Sequence, residues 1–343
     1  MRNAVVIDAV RTPIAKANES IGNFRNVRAD ELSAGLMKAL VERTGIDPQL
    51  IEDIRWGCVQ QQGEQGFDVA RVASLMAGLP IETGGVTLNR NCASGLQAIN
   101  DCAMSIAANC EDIQIAGGIE HMGHIPAFKD YDPAPGLFVR HSEAIMNMGL
   151  TAEYLAMKYQ IPREAQDAFA ARSQQLAAAA TEKGEFANEI IPTWGRSEAG
   201  LKELISIDQG IRADTTAEGL AKLPPAFNPA GGSVTAGSSS QLSVGSAALL
   251  IMSEERANEL GLKPMARIRA MAVAGVAPEE MGIGPVPAVH KVMKRAGLTL
   301  DDMDCLEINV TLLHRMKDSG AKYGLATLCV GQGQGVATIF ESV

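Results

Sequence analysis

An α/β fold with a duplicated core is predicted by three observations. Strand and helix patterns alternate over the first 120 residues; their order returns near the C-terminus at a constant offset of 252 positions; and a stretch of different texture lies between the two. Ala4–Val10 is an apolar run of the buried-strand type. Asp30 to Arg43 carries helical periodicity, with Asp30 as the expected cap and Gly45 as the stop. Ile54–Val59 and Val86–Leu88 read as strands. An alanine-rich helix follows Cys92 and runs to about Asn109, and Asp112–Ala116 reads as a fourth strand ending at Gly117-Gly118.

From His121 to about Val244 proline and glycine punctuate the chain, and one long helix spans Arg163–Lys183. This stretch is expected to be an insertion packed over the core. Gly245–Ser253 returns to strand character, and a second α/β unit opens at Ala266. The expected units are therefore 1–120, the insertion 121–244, a return to the first core over 245–262, and a second core over 263–343. The repeat sets Gly45-Ile46 and Ile51-Glu52-Asp53-Ile54 against Gly297-Leu298 and Met303-Asp304-Cys305-Leu306.

The two copies are unequal. In the first, 59 positions separate Asp53 from Asp112; in the second, 17 separate Cys305 from Lys322. Roughly 40 residues that supply a strand and a buried helix in the first copy have no counterpart after Asn309. Only Val310–Lys317, about two helical turns, remains. A lost strand is expected at a sheet edge. A lost half-helix between the sheets is expected to open a cavity or force collapse.

The net charge of −10, with no basic run, argues against a nucleic-acid partner. Six cysteines form no CxxC pair and have no histidine cluster beside them, so neither a metal site nor a disulfide framework is expected. The N-terminus runs straight into a strand without a signal-peptide pattern, and no apolar run approaches spanning length. A soluble, cytoplasmic protein with reduced thiols is expected.

Cys92 stands out within Asn91-Cys92-Ala93-Ser94-Gly95. It is expected to be buried at the first turn of a helix, where unpaired N–H groups favour a thiolate, though small neighbours also suit plain packing. Near the C-terminus, Cys329-Val330-Gly331-Gln332-Gly333 puts a second cysteine at a strand end before alternating glycines, which allow close approach of a ligand or simply make a hairpin turn. It is not a dinucleotide fingerprint, because the segment runs strand into strand.

Together with Gly117-Gly118-Ile119-Glu120-His121-Met122 and Val234-Thr235-Ala236-Gly237, these two segments resemble the thiolase family, and within it the bacterial 3-ketoacyl-CoA thiolases of fatty-acid β-oxidation. The resemblance implies a duplicated core layered αβαβα, an inserted loop domain that holds coenzyme A, and a second copy that is truncated here. It implies that Cys92 carries the acyl group as a thioester and that Cys329 exchanges a proton with the leaving acetyl-CoA. It also implies Gly331 and Asn309 as oxyanion donors, and Ser240, Met148 and His121 as substrate-binding residues. Coenzyme A would be a substrate, with no permanently bound cofactor, and a homodimer or homotetramer would form, with or without a β-oxidation partner subunit.

The chain departs from the family pattern where the copies are unequal. Val310 follows Asn309 where glutamate is usual, and the Gly-His-Pro motif, whose histidine activates the nucleophile, is absent. None of the five histidines (His121, His124, His141, His290 and His314) is a convincing replacement. Three readings follow: a degradative thiolase, a biosynthetic acetyl-CoA acetyltransferase, or a non-catalytic acyl-CoA-binding relative.

Overall fold

The computed structural model describes residues 2–307 and 311–343. The first core contains β1 (Ala4–Arg11), β2 (Ala15–Lys16), α1 (Ala29–Thr44), β3 (Asp53–Gly57), α2 (Val69–Ala77), β4 (Val86–Leu88), α3 (Ser94–Ala107) and β5 (Ile113–His121). The chain leaves the sheet at His121 and makes α4 (Met148–Lys158), α5 (Arg163–Glu182), the hairpin β6 (Thr193–Arg196) and β7 (Lys202–Ile205), and α6 (Ala217–Leu220). It re-enters the core as β8 (Ser243–Ser253), followed by α7 (Glu254–Glu259). The second core holds β9 (Ala266–Gly275), α8 (Pro285–Ala296), β10 (Cys305–Glu307), α9 (Leu312–Ser319), β11 (Tyr323–Val330) and β12 (Gln334–Glu341).

The strands form one sheet in the order β10-β11-β12-β9-β1-β8-β5-β3-β4, with β2 beside β8. Its two halves repeat each other. In the first, β1 and β8 pair antiparallel, as do β8 and β5, while β5, β3 and β4 run parallel. In the second, β9, β12 and β11 pair antiparallel and β11 pairs parallel with β10. Among the described residues no strand answers β4, so the second half stops one strand short at its outer edge. The halves join at β1 and β9, through Val5–Arg267 and Val6–Ala266.

Three apolar clusters define the layers. One packs α1 and α2 on the outer face of the first half, and another packs α8 on the outer face of the second. Between the halves, Ala98, Ile99, Cys102 and Ile106 of α3 and Leu312, Leu313 and Met316 of α9 belong to one buried apolar cluster with residues of both sheet halves. The expected αβαβα layering is thus present. The central layer is unequal, with 14 residues in α3 and 8 in α9.

The repeated glycine stops are Gly45 and Gly297, at φ 67° and 69°, each closing its helix in the left-handed conformation that glycine adopts without a Cβ penalty. Two boundary expectations are corrected. Arg28, not Asp30, occupies the cap of α1; Asp30 lies inside the first turn, where the Arg28 guanidinium grips its carboxylate. And β5 does not end at Gly117-Gly118 but runs on to His121. Gly117 is there for proximity, since a Cβ would sit 2.2 Å from the Trp56 ring and 2.3 Å from the Ala247 carbonyl oxygen.

Candidate active site

Cys92 lies at an elbow between β4 and α3, and two expectations about it are corrected. It is exposed rather than buried, and it precedes Ser94, the first residue of α3, by two positions rather than sitting in the first turn. The helix dipole therefore has less hold on it than expected, because that effect fades beyond the terminal turn. The elbow is held by its neighbours. Asn91 has φ 45°, a left-handed value that asparagine tolerates better than most residues. Its N–H donates to Asn89 Oδ1 at 2.7 Å, and its carbonyl accepts from Ser94 Oγ at 2.6 Å.

The same Asn91 ties the two halves together. Its Nδ2 donates to the Gly331 carbonyl at 3.2 Å, and Arg90 donates to Gln334 Oε1 at 3.2 Å. Ala93 packs on Val330 and Val336 just below. The C-terminal glycine segment is thereby set against the elbow, with Gln332 and Gly333 at φ 65° and 78° turning β11 into β12. Cys329 ends up near Cys92. Burial pushes its thiol above the ordinary thiol range, and the neighbouring Cys92 sulfur opposes its ionisation further.

Cys92, Asn91, Gly331, Gln332 and Met148 line a cavity of about 790 Å³, within the range of small-molecule sites. Ser240 is exposed on the segment before β8 and is not part of the lining. Asn309 lies outside the described residues. His121 is not among the residues lining the cavity. Its Nδ1 accepts from the His124 N–H at 3.0 Å and its Nε2 faces the Phe24 carbonyl at 3.2 Å, so both ring nitrogens are taken by backbone. Burial lowers its pKa, with the neighbouring His124 adding to the effect.

Glu64, His121 and His124 lie close enough to suggest a metal site. The bonding argues otherwise. The two nitrogens of His124 face Glu64 Oε1 at 2.9 Å and the Arg25 carbonyl at 3.0 Å, both acceptors, an arrangement that favours the doubly protonated ring, which has no lone pair to offer a metal. Burial lowers the His124 pKa, but these two bonds and the Glu64 charge outweigh it, and the net value is raised. His314 is also occupied, with Nε2 2.8 Å from the Ala9 carbonyl in the central layer. No histidine is found among the described residues lining the cavity.

Other lining groups gave no signal in the sequence. The Glu120 carboxylate accepts from the Val59 N–H at 2.9 Å, the Gln60 N–H at 3.3 Å and Gln65 Nε2 at 2.8 Å, holding the loop after β3 against the cavity. Arg11 pairs with Glu189 at 2.6 Å and Asp208 at 2.7 Å, and the Arg11 guanidinium lies 5.4 Å from the Phe186 ring centroid. Glu120 sits three residues past Gly117 in a motif singled out for its glycines. The Arg11 partners are contributed by the insertion, about 180 and 200 positions away, beyond the reach of any local pattern.

A duplicated α/β core with two sulfurs set at the junction of its halves, beside an apolar cavity, defines a class of α/β proteins with paired cysteines at a shared site. The family described as "Thiolase, N-terminal domain" matches residues 4–255, and "Thiolase, C-terminal domain" matches residues 262–311 and 308–342. The chain belongs to the thiolase family. It is 47% identical to the 3-ketoacyl-CoA thiolase of Vibrio parahaemolyticus, over 99% of this chain and 98% of that one. It is 45% identical to the 3-ketoacyl-CoA thiolase of Pseudoalteromonas translucida, over all of both chains. Among solved structures it resembles the Bacillus anthracis acetyl-CoA acetyltransferase, with a TM-score of 0.89 at 36% identity, covering 100% of this chain and 99% of that one. It likewise resembles human mitochondrial 3-ketoacyl-CoA thiolase, with a TM-score of 0.90 at 31% identity and the same coverage.

The C-terminal family match falls into two pieces that meet at 308–311. The Pseudoalteromonas alignment is 389 positions long against 343 residues here, which leaves about 46 positions that this chain does not fill. No described helix is long and apolar enough to cross a membrane.

Proposed function

We propose that the chain is an acyl-CoA C-acyltransferase that cleaves 3-ketoacyl-CoA by thiolysis through an acyl-Cys92 intermediate. The observation that carries this reading is the approach of Cys92 and Cys329 at the junction of the two halves. Cys92 attacks the 3-keto carbon as its thiolate, the form in which the cycle also releases it, and collapse of the tetrahedral alkoxide breaks the C2–C3 bond, leaving the acyl group on sulfur. The departing two-carbon thioester leaves as an enolate and takes a proton from the Cys329 thiol, which burial keeps protonated. Coenzyme A then attacks the acyl-Cys92 thioester, its thiol proton passes to the Cys329 sulfur, and Cys92 is freed.

Gly331, through its backbone N–H, and Asn309 are the proposed oxyanion donors. Ser240 and Met148 are proposed to meet coenzyme A and the acyl chain, with residues 121–244 as the loop domain and no cofactor held permanently. A homodimer or homotetramer in the cytoplasm is proposed with it. The Bacillus anthracis neighbour favours acetyl-CoA condensation as the alternative reaction.

The positions this chain does not fill are proposed to remove the family's activating histidine. Turnover is then expected to lie about 10²–10⁴-fold below that of relatives that keep it. The same gap favours a second reading, acyl-CoA binding without turnover. Intact-mass analysis of the folded chain after exposure to acetoacetyl-CoA, with Cys92→Ala beside it, separates the two. An acyl adduct that depends on Cys92 supports the enzyme. A folded chain that binds the thioester but forms no adduct leaves the binding protein.

A further inference from the structure

β5, β3 and β4 run parallel with β3 in the middle, and the cavity is lined by the residues at their C-terminal ends. The backbone ladder stops there. Gly57 is the last residue of β3 paired with its neighbours, opposite Gly118 and Leu88, and the Cys58 N–H donates the final bond to the Leu88 carbonyl at 3.0 Å. Two side chains take over one residue later, at Val59. From the β5 side the Glu120 carboxylate accepts the Val59 N–H at 2.9 Å; from the β4 side Asn89 Nδ2 donates to the Val59 carbonyl at 3.0 Å. A half-buried peptide beyond its ladder needs such partners. The buried Gln65 braces the same carboxylate, its Nε2 donating to Glu120 and to the Gln60 carbonyl, each at 2.8 Å. Asn89 has a second bond: its Oδ1 accepts the Asn91 N–H at 2.7 Å, and Asn91 in turn reaches the Gly331 carbonyl. One hydrogen-bonded path therefore runs from Glu120 through Val59, Asn89 and Asn91 to the loop that follows Cys329.

We propose that Glu120 and Asn89 are positioning residues: gripping Val59 from both sides, they fix the elbow so that the Cys92 and Cys329 sulfurs face each other across the junction of the halves. Neither side chain builds the ladder of β3 with β4 and β5, which ends before Val59. Asn89 is exposed, so what it contributes is its two bonds rather than buried packing. The placement of the two sulfurs stands whether or not the chain turns over. Its effect on rate rests on the function proposed above.

The test reacts the full chain, shown folded by a cooperative melt, with dibromobimane, a short reagent that fluoresces only after both arms have alkylated thiols. Peptide mass mapping then reads the Cys92–Cys329 bridge. Asn89→Ala is expected to melt close to the unaltered chain yet bridge about tenfold more slowly, the worth of ordinary hydrogen bonds lost. Glu120→Ala is expected to slow bridging similarly. The double variant should fall no further than either single one, because both act through Val59, whereas independent losses would multiply. Glu120→Gln keeps a carbonyl acceptor for the loop and should recover most of the rate, which decides the matter if Glu120→Ala fails to fold. Thr83→Val removes a buried hydroxyl bond to the Ile51 carbonyl away from the cavity, so it should lower the melting temperature without slowing the bridge. An unchanged rate in Asn89→Ala, multiplied losses in the double variant, or equal slowing in Thr83→Val would overturn the proposal. Bridging requires no turnover. A missing acetoacetyl-CoA adduct with bridging intact therefore counts against the enzyme alone, and bridging indifferent to Asn89 against the positioning role alone.

Discussion

Asn91 carries two loads at once, a left-handed backbone and the side-chain bond to the Gly331 carbonyl. Asn91→Ala is expected to destabilise the chain by about 1.5–3 kcal/mol, combining the left-handed penalty with a lost hydrogen bond. Asn91→Gly relieves the first and should cost about 1 kcal/mol less, which paired urea melts would measure. At Cys329 the expected effect is chemical: Cys329→Ala should slow acyl-Cys92 formation by about 10²–10⁴-fold, read by quenched intact mass, while iodoacetamide still alkylates Cys92. Cys92, Cys329 and Gly331 stand out in the sequence because each sits inside a contiguous motif. The exposure of Cys92 and the burial of His121 do not, because both depend on partners distant in the chain, such as Gly331, 240 positions from Asn91. The His121 ring lies between the Phe24 carbonyl and the His124 N–H, partners that no local pattern announces.

At the scale of elements, the helices were read best where glycine ends them, since Gly45 and Gly297 act through local backbone geometry alone. Strand β5 was misread because glycine looks like a terminator, whereas Gly117 is present to admit the Trp56 ring. Gly117→Ala would drive a Cβ into that ring and into the Ala247 carbonyl, and neither can yield without moving the sheet. A loss at or above the upper end of the about 1–3 kcal/mol usual for overpacking is expected, read by thermal melting. The short α9 shows what the second half retains. Leu312, Leu313 and Met316 are buried in the apolar cluster shared with both sheet halves, and His314 bonds to β1, so two helical turns still pin the central layer.

For the whole molecule, the cavity sets a limit. At about 24 cal/mol per Å³, an enclosed apolar void of about 790 Å³ would cost more than the roughly 5–15 kcal/mol that holds a domain folded, whereas this space opens to solvent at the exposed Cys92. The pH dependence follows from buried groups. Burial pushes the Cys58 and Cys102 thiols far above their ordinary value of 9.0, and Cys329 moves the same way. The unfolded chain releases these protons first, so stability is full below pH 9 and falls as pH rises beyond it. Cys102→Ala should flatten that alkaline limb in melts between pH 7 and 10. The histidine pair acts with opposite signs. His121, lowered, withdraws stability as pH falls below its ordinary 6.5; His124, raised, contributes stability below 6.5 that is lost as pH climbs through its folded value. His124→Gln should therefore cost more at pH 6 than at pH 8.

The pairing of β1 with β9 is only two residues long, reinforced by the Met265 N–H donating to the Val6 carbonyl at 2.7 Å. Yet it makes the two halves one continuous hydrogen-bonded ladder, and the central helices share one apolar cluster with both halves across it. Two copies of a fold joined by a loose linker would melt as two events, each with its own enthalpy. Here neither copy can open without stripping backbone partners from the other, so a calorimeter should record a single cooperative transition for the whole chain, despite its repeated architecture.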